Sequence, residues 1–249
     1  MTRAAEQAPE LALLLQARGA IPVPVPVMRL RRLLAGTEIE ALGRRILAGE
    51  WQDLVFTSAN AVGLALPVAP EPCPAVRVFA IGPGTAAAVS ARGWPPEPLP
   101  QTFIAESLAA RVLTQGIDGH RVLLPRARGA RPVLPQLLRR AGARLDLIEI
   151  YEMEPEWESQ AALATALSAG DLDGLIFTSG SSVDCFQSLR GEAELPRSAL
   201  IACIGPVTAD AARRAGLAPD LVASEHSMAG LLTALESRLG PKPENDPRP

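Results

Sequence analysis

Asp53-Leu-Val-Phe-Thr-Ser-Ala-Asn60, leading to Ile81-Gly-Pro-Gly-Thr-Ala86, returns later in the chain as Asp173-Gly-Leu-Ile-Phe-Thr-Ser-Gly180, leading to Ile204-Gly-Pro-Val-Thr-Ala209. The first motif recurs 121 residues on, from Thr57 to Thr178, and the second 123 residues on, from Gly82 to Gly205. A period this long is not that of a solenoid, whose repeats run to roughly 20–50 residues, so it predicts two similar domains. A second pair of echoes shows the threading. Thr2-Arg3, a helical pattern and Arg18-Gly19-Ala20 match Pro125-Arg126, a helical pattern and Ala141-Gly142-Ala143, again 123 residues apart. The middle copy follows its strand motifs, whereas the N-terminal copy precedes everything. A chain that crosses near Pro26 to Arg31 and returns near Ile150 to Pro155 closes the middle segment as one domain and lets the N-terminal piece complete the C-terminal half. The expected division is 1–28 with 155–240 as a composite domain and 34–149 as the second. Residues 29–33 and 150–154 are the crossovers, and 241–249, where proline alternates with polar residues, is a disordered tail.

Between the motifs, short apolar runs alternate with alanine- and leucine-rich helical stretches. Leu54–Phe56, Val76–Ile81, Val122–Leu124 and Leu145–Ile150 read as strands, and so do Gly174–Phe177, Leu200–Ile204 and Leu221–Ala223. Strand, helix, strand at this spacing gives right-handed crossovers and a parallel sheet covered on both faces. The fold class is therefore α/β, with two flavodoxin-like domains joined by two extended crossover segments.

The composition fits a soluble two-domain protein. At 249 residues and 48% hydrophobic content the chain can fill two modest cores. It has no apolar run near the ~20 residues of a membrane span and no signal-peptide core, which makes a cytoplasmic protein the expectation. Cys73, Cys185 and Cys203 form no CxxC pair, so they read as small core thiols rather than a disulfide framework or a zinc site.

In parallel α/β folds ligands lie beyond the carboxyl ends of the strands, where helices start. Thr57-Ser58 with Asn60, Gly82 to Thr85, Thr178-Ser179-Gly180 and Gly205 to Thr208 all fall there. Free N–H groups and the positive dipole end suit a carboxylate or phosphate. Ser, Thr and Gly also cap helices without binding anything, so it is recurrence in both halves that raises these four starts to candidate anion cradles. Seven arginines, Arg121, Arg126, Arg128, Arg131, Arg139, Arg140 and Arg144, follow one another with no acid between them. Arg139 and Arg140 read as a solvated helix face, whereas Arg126, just after a strand, points toward the ligand end, where its fork can pair with a carboxylate.

Other chemistries fare worse. Gly82-Pro-Gly-Thr-Ala-Ala87 has the outline of a dinucleotide fingerprint, but Gly205-Pro-Val-Thr lacks the second glycine, and Pro83 and Pro206 each remove a backbone donor. His120 and His226 are the only histidines, no GxSxG elbow is present, and His226 beside Ser227 reads as a surface or capping residue. At 4% aromatic content there are few platforms on which nucleobases could stack.

The opening Thr-Arg, the paired Phe-Thr-Ser motifs, the paired Ile-Gly-Pro-x-Thr-Ala motifs and a Tyr at the return crossover together resemble the uroporphyrinogen-III synthase family, from Thr2 to about Leu239. The resemblance implies a monomeric, cytoplasmic enzyme without metal or organic cofactor. It would close linear hydroxymethylbilane, which carries eight carboxylates, into uroporphyrinogen III, inverting ring D and losing water. The resemblance also implies a transient contact with the enzyme that produces the bilane. It assigns Tyr151, the single tyrosine, as the catalytic proton or hydrogen-bond donor. Arg3, Thr57, Ser58, Asn60, Gly82, Thr85, Arg126, Thr178, Ser179, Gly180, Gly205 and Thr208 are assigned to substrate carboxylates. Family members place an apolar strand before the Thr-Arg, whereas here only Met1 precedes it, so the expectation is a start further upstream, to be checked by intact mass. The competing reading, from another class, is a non-catalytic anion-binding or sensory module; a relative of the same fold that has lost its activity is a third.

Overall fold

In the computed structural model, residues 2, 8–69, 71–196 and 198–240 are described. Arg3 and the expected tail 241–249 lie outside them. The chain divides into two compact units, unit 1 (Met1–Leu30 with Met153–Pro249) and unit 2 (Arg31–Glu152).

Unit 2 is built on parallel strands β2 (Asp53–Phe56), β3 (Arg77–Ala80), β4 (Arg121–Ala127) and β5 (Arg144–Pro155), in the order β5-β4-β2-β3. Alternation along each strand fills both faces. Val55, Phe79, Val122 and Leu124 pack with α5 (Ala105–Leu113) and α6 (Val133–Arg140). Their neighbours Leu54, Phe56, Val78 and Leu123, all fully buried, face the other way, where α2 (Gly36–Leu47), α3 (Ala59–Ala65) and α4 (Pro83–Ser90) complete the unit. A strand buried on both sides must read as an unbroken apolar run, as Leu-Val-Phe does.

The amino ends of these strands are tied by charge. Asp53, wholly buried, accepts from Arg77 Nε at 2.6 Å and lies 2.9 Å from His120 Nδ1. Arg77 also donates to the carbonyls of Gln115 and Gly116. Trp51 stacks between the guanidiniums of Arg45 and Arg121, at 4.7 and 5.5 Å from its ring, and donates to Asp146. Glu50 joins both arginines, which hold its carboxyl down at about 2.

Unit 1 repeats the pattern with parallel strands β6 (Gly174–Phe177), β7 (Leu200–Cys203) and β8 (Leu221–Val222). Leu175, Phe177, Ile201 and Cys203 face a core built with α7 (Gln160–Ser168), α8 (Gly180–Arg190) and α9 (Pro206–Arg214). In that core Phe177 meets Phe186 edge-on at 5.2 Å. Ile176 and Ala202 face α1 (Ala8–Gln16) and α10 (Met228–Leu239). The described N-terminal contact is Thr2, whose buried hydroxyl donates to the Ile176 carbonyl at 2.7 Å.

Two features depart from the reading of the sequence. The crossovers are not merely extended: β1 (Met28–Arg32) lies beside β5 in the sheet order, and β5 runs on to Pro155 instead of ending at Ile150. Leu33 N bonds Ile150 O while Glu156 N bonds Val27 O, so one segment rises in number as the other falls, and the pair is antiparallel. Arg29 meets Glu154 at 2.8 Å and Arg31 meets Glu152. Cys185 and Cys203 are buried thiols, pushed up to about 11 by burial, but Cys73 is only half-buried. Among the described residues no helix is long and apolar enough to cross a membrane.

Candidate active site

At the carboxyl ends of unit 2, β2 turns through Thr57 and Ser58 into α3. Ser58 is the N-cap, in extended backbone, and its Oγ accepts from Ala61 N at 3.1 Å. The same oxygen lies 2.9 Å from the Tyr151 hydroxyl. The ring of Tyr151 is 5% exposed, and burial pushes the phenol above its ordinary range, opposed by hydrogen bonds from the side chains of Ser58 and Asn60. A phenol so placed keeps its proton at any physiological pH and has that proton to donate. Thr57 is half-buried one residue before the cap.

Tyr151 arrives there through a bulge. Along β4 and β5 the register runs Arg126 to Glu149 and then Ala127 to Tyr151, so Ile150 has no partner in the ladder. A bulge re-aims the side chains beyond it and is common beside functional sites. Arg126, on the other side of the irregularity, is 6% exposed. Its only hydrogen bond among the described residues is a long one, Nε to the Ala127 carbonyl at 3.4 Å. Desolvation lowers its pKa, with Glu149 pulling the other way. A guanidinium stripped of water and given no carboxylate is costly unless an anion completes it.

The next helix start has the same deficit. Gly82 is the N-cap of α4, Pro83 fills the first helical position, where a missing N–H costs nothing, and Thr85 stands two residues further into the turn. The Thr85 side chain is 6% exposed, and its hydroxyl has no hydrogen-bond partner among the described residues.

Unit 1 repeats this arrangement. Ser179 caps α8 and accepts from Ser182 N at 3.1 Å, while buried Ser182 donates back to the Ser179 carbonyl at 2.7 Å. Half-buried Thr178 precedes the cap. Gly180 opens α8 where it packs on α9, and a Cβ there would just touch that of Ala211, at 3.4 Å. Gly205 caps α9 ahead of Pro206, and the hydroxyl of Thr208, 4% exposed, again has no hydrogen-bond partner among the described residues. His226 does not cap α10; Ser227 does, accepting from Gly230 N at 3.0 Å.

The run of arginines does not form one patch. Arg121 is spent on Glu50 and Asp146, Arg128 on Glu149 and Glu152, and Arg131, Arg139, Arg140 and Arg144 are exposed. Two open clefts, of about 620 and 540 Å³, lie around Arg45 and Trp51, toward the amino ends of the strands. Arg45 and Arg121 there are already paired with Glu50 and Asp146, and Arg139 is exposed, so neither cleft holds a buried guanidinium like that of Arg126. Among the described residues no group of three His, Cys, Asp or Glu side chains is placed to hold a metal ion.

Reasoning from the sequence missed the Ser58 contact to Tyr151, the bulge that delivers Tyr151, and the rings of Phe103 and His226 that lie against Gly82 and Gly205. Only the rings had left a signal, their shared spacing of 123 residues.

The family model described as uroporphyrinogen-III synthase HemD matches residues 9–233. The chain belongs to the uroporphyrinogen-III synthase family. A Methanothermobacter thermautotrophicus protein, assigned to that activity provisionally, is 31% identical over 220 residues, 84% of this chain and 85% of that one. The uroporphyrinogen-III synthase of Chlorobaculum parvum is 29% identical over 230 residues, 89% of this chain and 91% of that one. A crystal structure of a mutant uroporphyrinogen III synthase from Thermus thermophilus shares the fold, with a TM-score of 0.60 at 20% identity, covering 96% of this chain and 99% of that one.

Proposed function

We propose that this protein is a cofactor-independent hydro-lyase that closes hydroxymethylbilane into uroporphyrinogen III, inverting ring D with loss of water, as a monomer in the cytoplasm. Family membership supports the reaction, and the observation in the molecule that carries the reading is Arg126. A buried guanidinium with vacant donors, at the ligand end of the strands, asks for a carboxylate, and the bilane has eight. Thr85, Thr208 and the N–H groups of the helix starts at Gly82 and Gly205 add further anion cradles, and Thr57, Thr178, Ser179, Gly180 and Asn60 border the other turns.

Loss of the substrate hydroxyl leaves an azafulvene cation; attack by the substituted carbon of ring D gives a spiro intermediate that fragments and recloses. Much of that reactivity belongs to the substrate, so the protein's main contribution is to hold the bilane in the conformation that selects the attacking carbon. Tyr151 supplies a proton or hydrogen bond to the departing hydroxyl. Ser58, whose oxygen is bonded to both Tyr151 and Ala61 N, works by fixing the phenol rather than by binding substrate itself.

The test is an isomer assay. Hydroxymethylbilane generated enzymatically is supplied, the products are oxidised, and uroporphyrins I and III are separated. Type III above the spontaneous background, which is type I, is the expected result. Type I alone from folded protein would overturn the reading in favour of a non-catalytic anion-binding module.

A further inference from the structure

What sets apart the glycines of the two Ile-Gly-Pro motifs is a close side-chain neighbour, not backbone freedom. Gly82 and Gly205 have φ of −169° and −179°, extended values that any residue adopts. A Cβ on Gly82, however, would lie 3.1 Å from Cγ of Phe103, and one on Gly205 would lie 3.1 Å from Cδ2 of His226. Each ring therefore lies against the N-cap of a helix start. Phe103 and His226 are 123 residues apart, the same spacing as Gly82 and Gly205, so they are the same structural position in the two units.

Neither ring is explained by packing or capping. Phe103 is 48% exposed, an uncovered phenyl beside polar backbone. His226 is exposed too, and the cap of α10 belongs to Ser227, which also donates to Glu225 at 2.6 Å. In the turn beside each ring stands a threonine that is more than nine-tenths buried and whose hydroxyl has no partner among the described residues, Thr85 and Thr208. That vacancy is a sign of a ligand independent of the helix dipole.

We infer that Phe103 and His226 are the specificity-determining walls of two carboxylate cradles, apolar in unit 2 and protonatable in unit 1, each taking an acid group borne on an aromatic ring. The inference rests on the proposed activity and adds the residues that make its two helix starts unequal. The phenyl offers a flat face to the ring that carries the acid. An imidazole offers such a face too, and gains a second N–H and a charge as the pH falls between about 8 and 5. The charged groups on the elements around it are committed or exposed: Glu225 to Ser227 in its own loop, Asp210 to Arg213 on α9, and Glu236 to Arg18 on α10, with Arg214 and Arg238 exposed. A carboxylate held against His226 therefore binds more tightly as the imidazole charges.

The experiment follows the histidine ring protons by NMR, with uroporphyrin III as the probe. The chain has two histidines, so H226F assigns both signals at once. The midpoint of the His226 titration should rise by about one pH unit on saturation with the probe, as a gained anionic partner requires, while that of His120 stays put. In turnover, KM of H226F should exceed the wild-type value about threefold to tenfold at pH 6 and converge with it by pH 8.5, with kcat unchanged. F103L should raise KM equally at every pH. An unshifted His226 midpoint, or a KM ratio flat across pH, overturns the inference. Failure to form isomer III would overturn the activity instead, and the titration with the porphyrin still decides whether His226 lines a carboxylate site.

Discussion

At Gly82 in unit 2 and at Gly205 in unit 1 the backbone makes the same turn: a strand ends, an extended glycine caps a helix, proline follows, and a buried threonine keeps an unmatched hydroxyl. At Tyr151 the units part. The position 123 residues before it is Met28, and among the described residues no side chain of unit 1 is bonded to Ser179 Oγ as the phenol is to Ser58 Oγ, although Ser179 caps α8 just as Ser58 caps α3. What the repeat duplicated is the turn that the proposed function uses for anions, which needs only strand ends and helix starts. The phenol that the proposed function uses as proton donor exists once, as the chain's single tyrosine. A long polycarboxylate gains from many similar holds, whereas a single departing hydroxyl needs one donor.

The largest expected effect tests how independent the two units are. Asp53 anchors the strand starts of unit 2, and its counterpart 121 residues on is Gly174, which has no side chain to do the same. Removing the buried carboxylate takes the shared partner from Arg77 and His120, whose side chains are themselves partly exposed and regain some water, so the cost stays below the full penalty of a wholly buried pair. D53A should therefore destabilise unit 2 alone and split thermal unfolding into two calorimetric transitions. One unshifted transition would show that the buried pairs contribute nothing or that the units unfold together.

Arg126 comes next. Its guanidinium is a burden on the fold and an asset to binding, so R126M should move the two in opposite directions. A charge-assisted hydrogen bond is worth about 1.5–3 kcal/mol, so kcat/KM should fall roughly 10- to 100-fold. The melting temperature should hold or rise. A variant that loses stability along with activity would make Arg126 a structural residue.

Y151F tests the singular side of the comparison. Because the substrate supplies much of its own reactivity, the expected loss is partial, about tenfold in kcat, or ~1.4 kcal/mol of barrier. S58A should lose less in rate but also about 1 kcal/mol of stability with its cap. Complete inactivity of folded Y151F would mean that the phenol carries the whole acceleration.

The sequence shows best what is local. Phe-Thr-Ser and Ile-Gly-Pro each encode a strand end and a helix start within a few residues, so the α/β pattern and the cradle positions follow from cap chemistry and apolar runs. Arg126 stood out because it comes just after the apolar run Val122–Leu124, although β4 extends past it to Ala127. What it lacks could not be read, since an unpaired guanidinium is defined by everything around it. The bond between Ser58 and Tyr151 joins residues 93 apart, and the bulge that sets it up depends on a register shift that leaves no mark in composition. The pairing of the crossovers was half-written in Met28-Arg-Leu-Arg-Arg32 facing Glu152-Met-Glu-Pro-Glu156, where alternate charges of opposite sign match across a ladder.

The smallest effects sharpen the shared side. Valine has nearly the shape of threonine and lacks the hydroxyl, so T85V and T208V remove only the unmatched group. If those hydroxyls wait for substrate, the folded protein loses no hydrogen bond in either variant, and both should melt at or slightly above the wild-type temperature. KM should rise about threefold in each, a partial loss because the N–H groups of the turn still hold the anion. The double variant should give roughly the product of the two, because each threonine would hold a different carboxylate of the substrate and neither contacts the other. A drop in melting temperature with KM unchanged would reverse the assignment, making the threonines part of how each helix starts rather than what it binds.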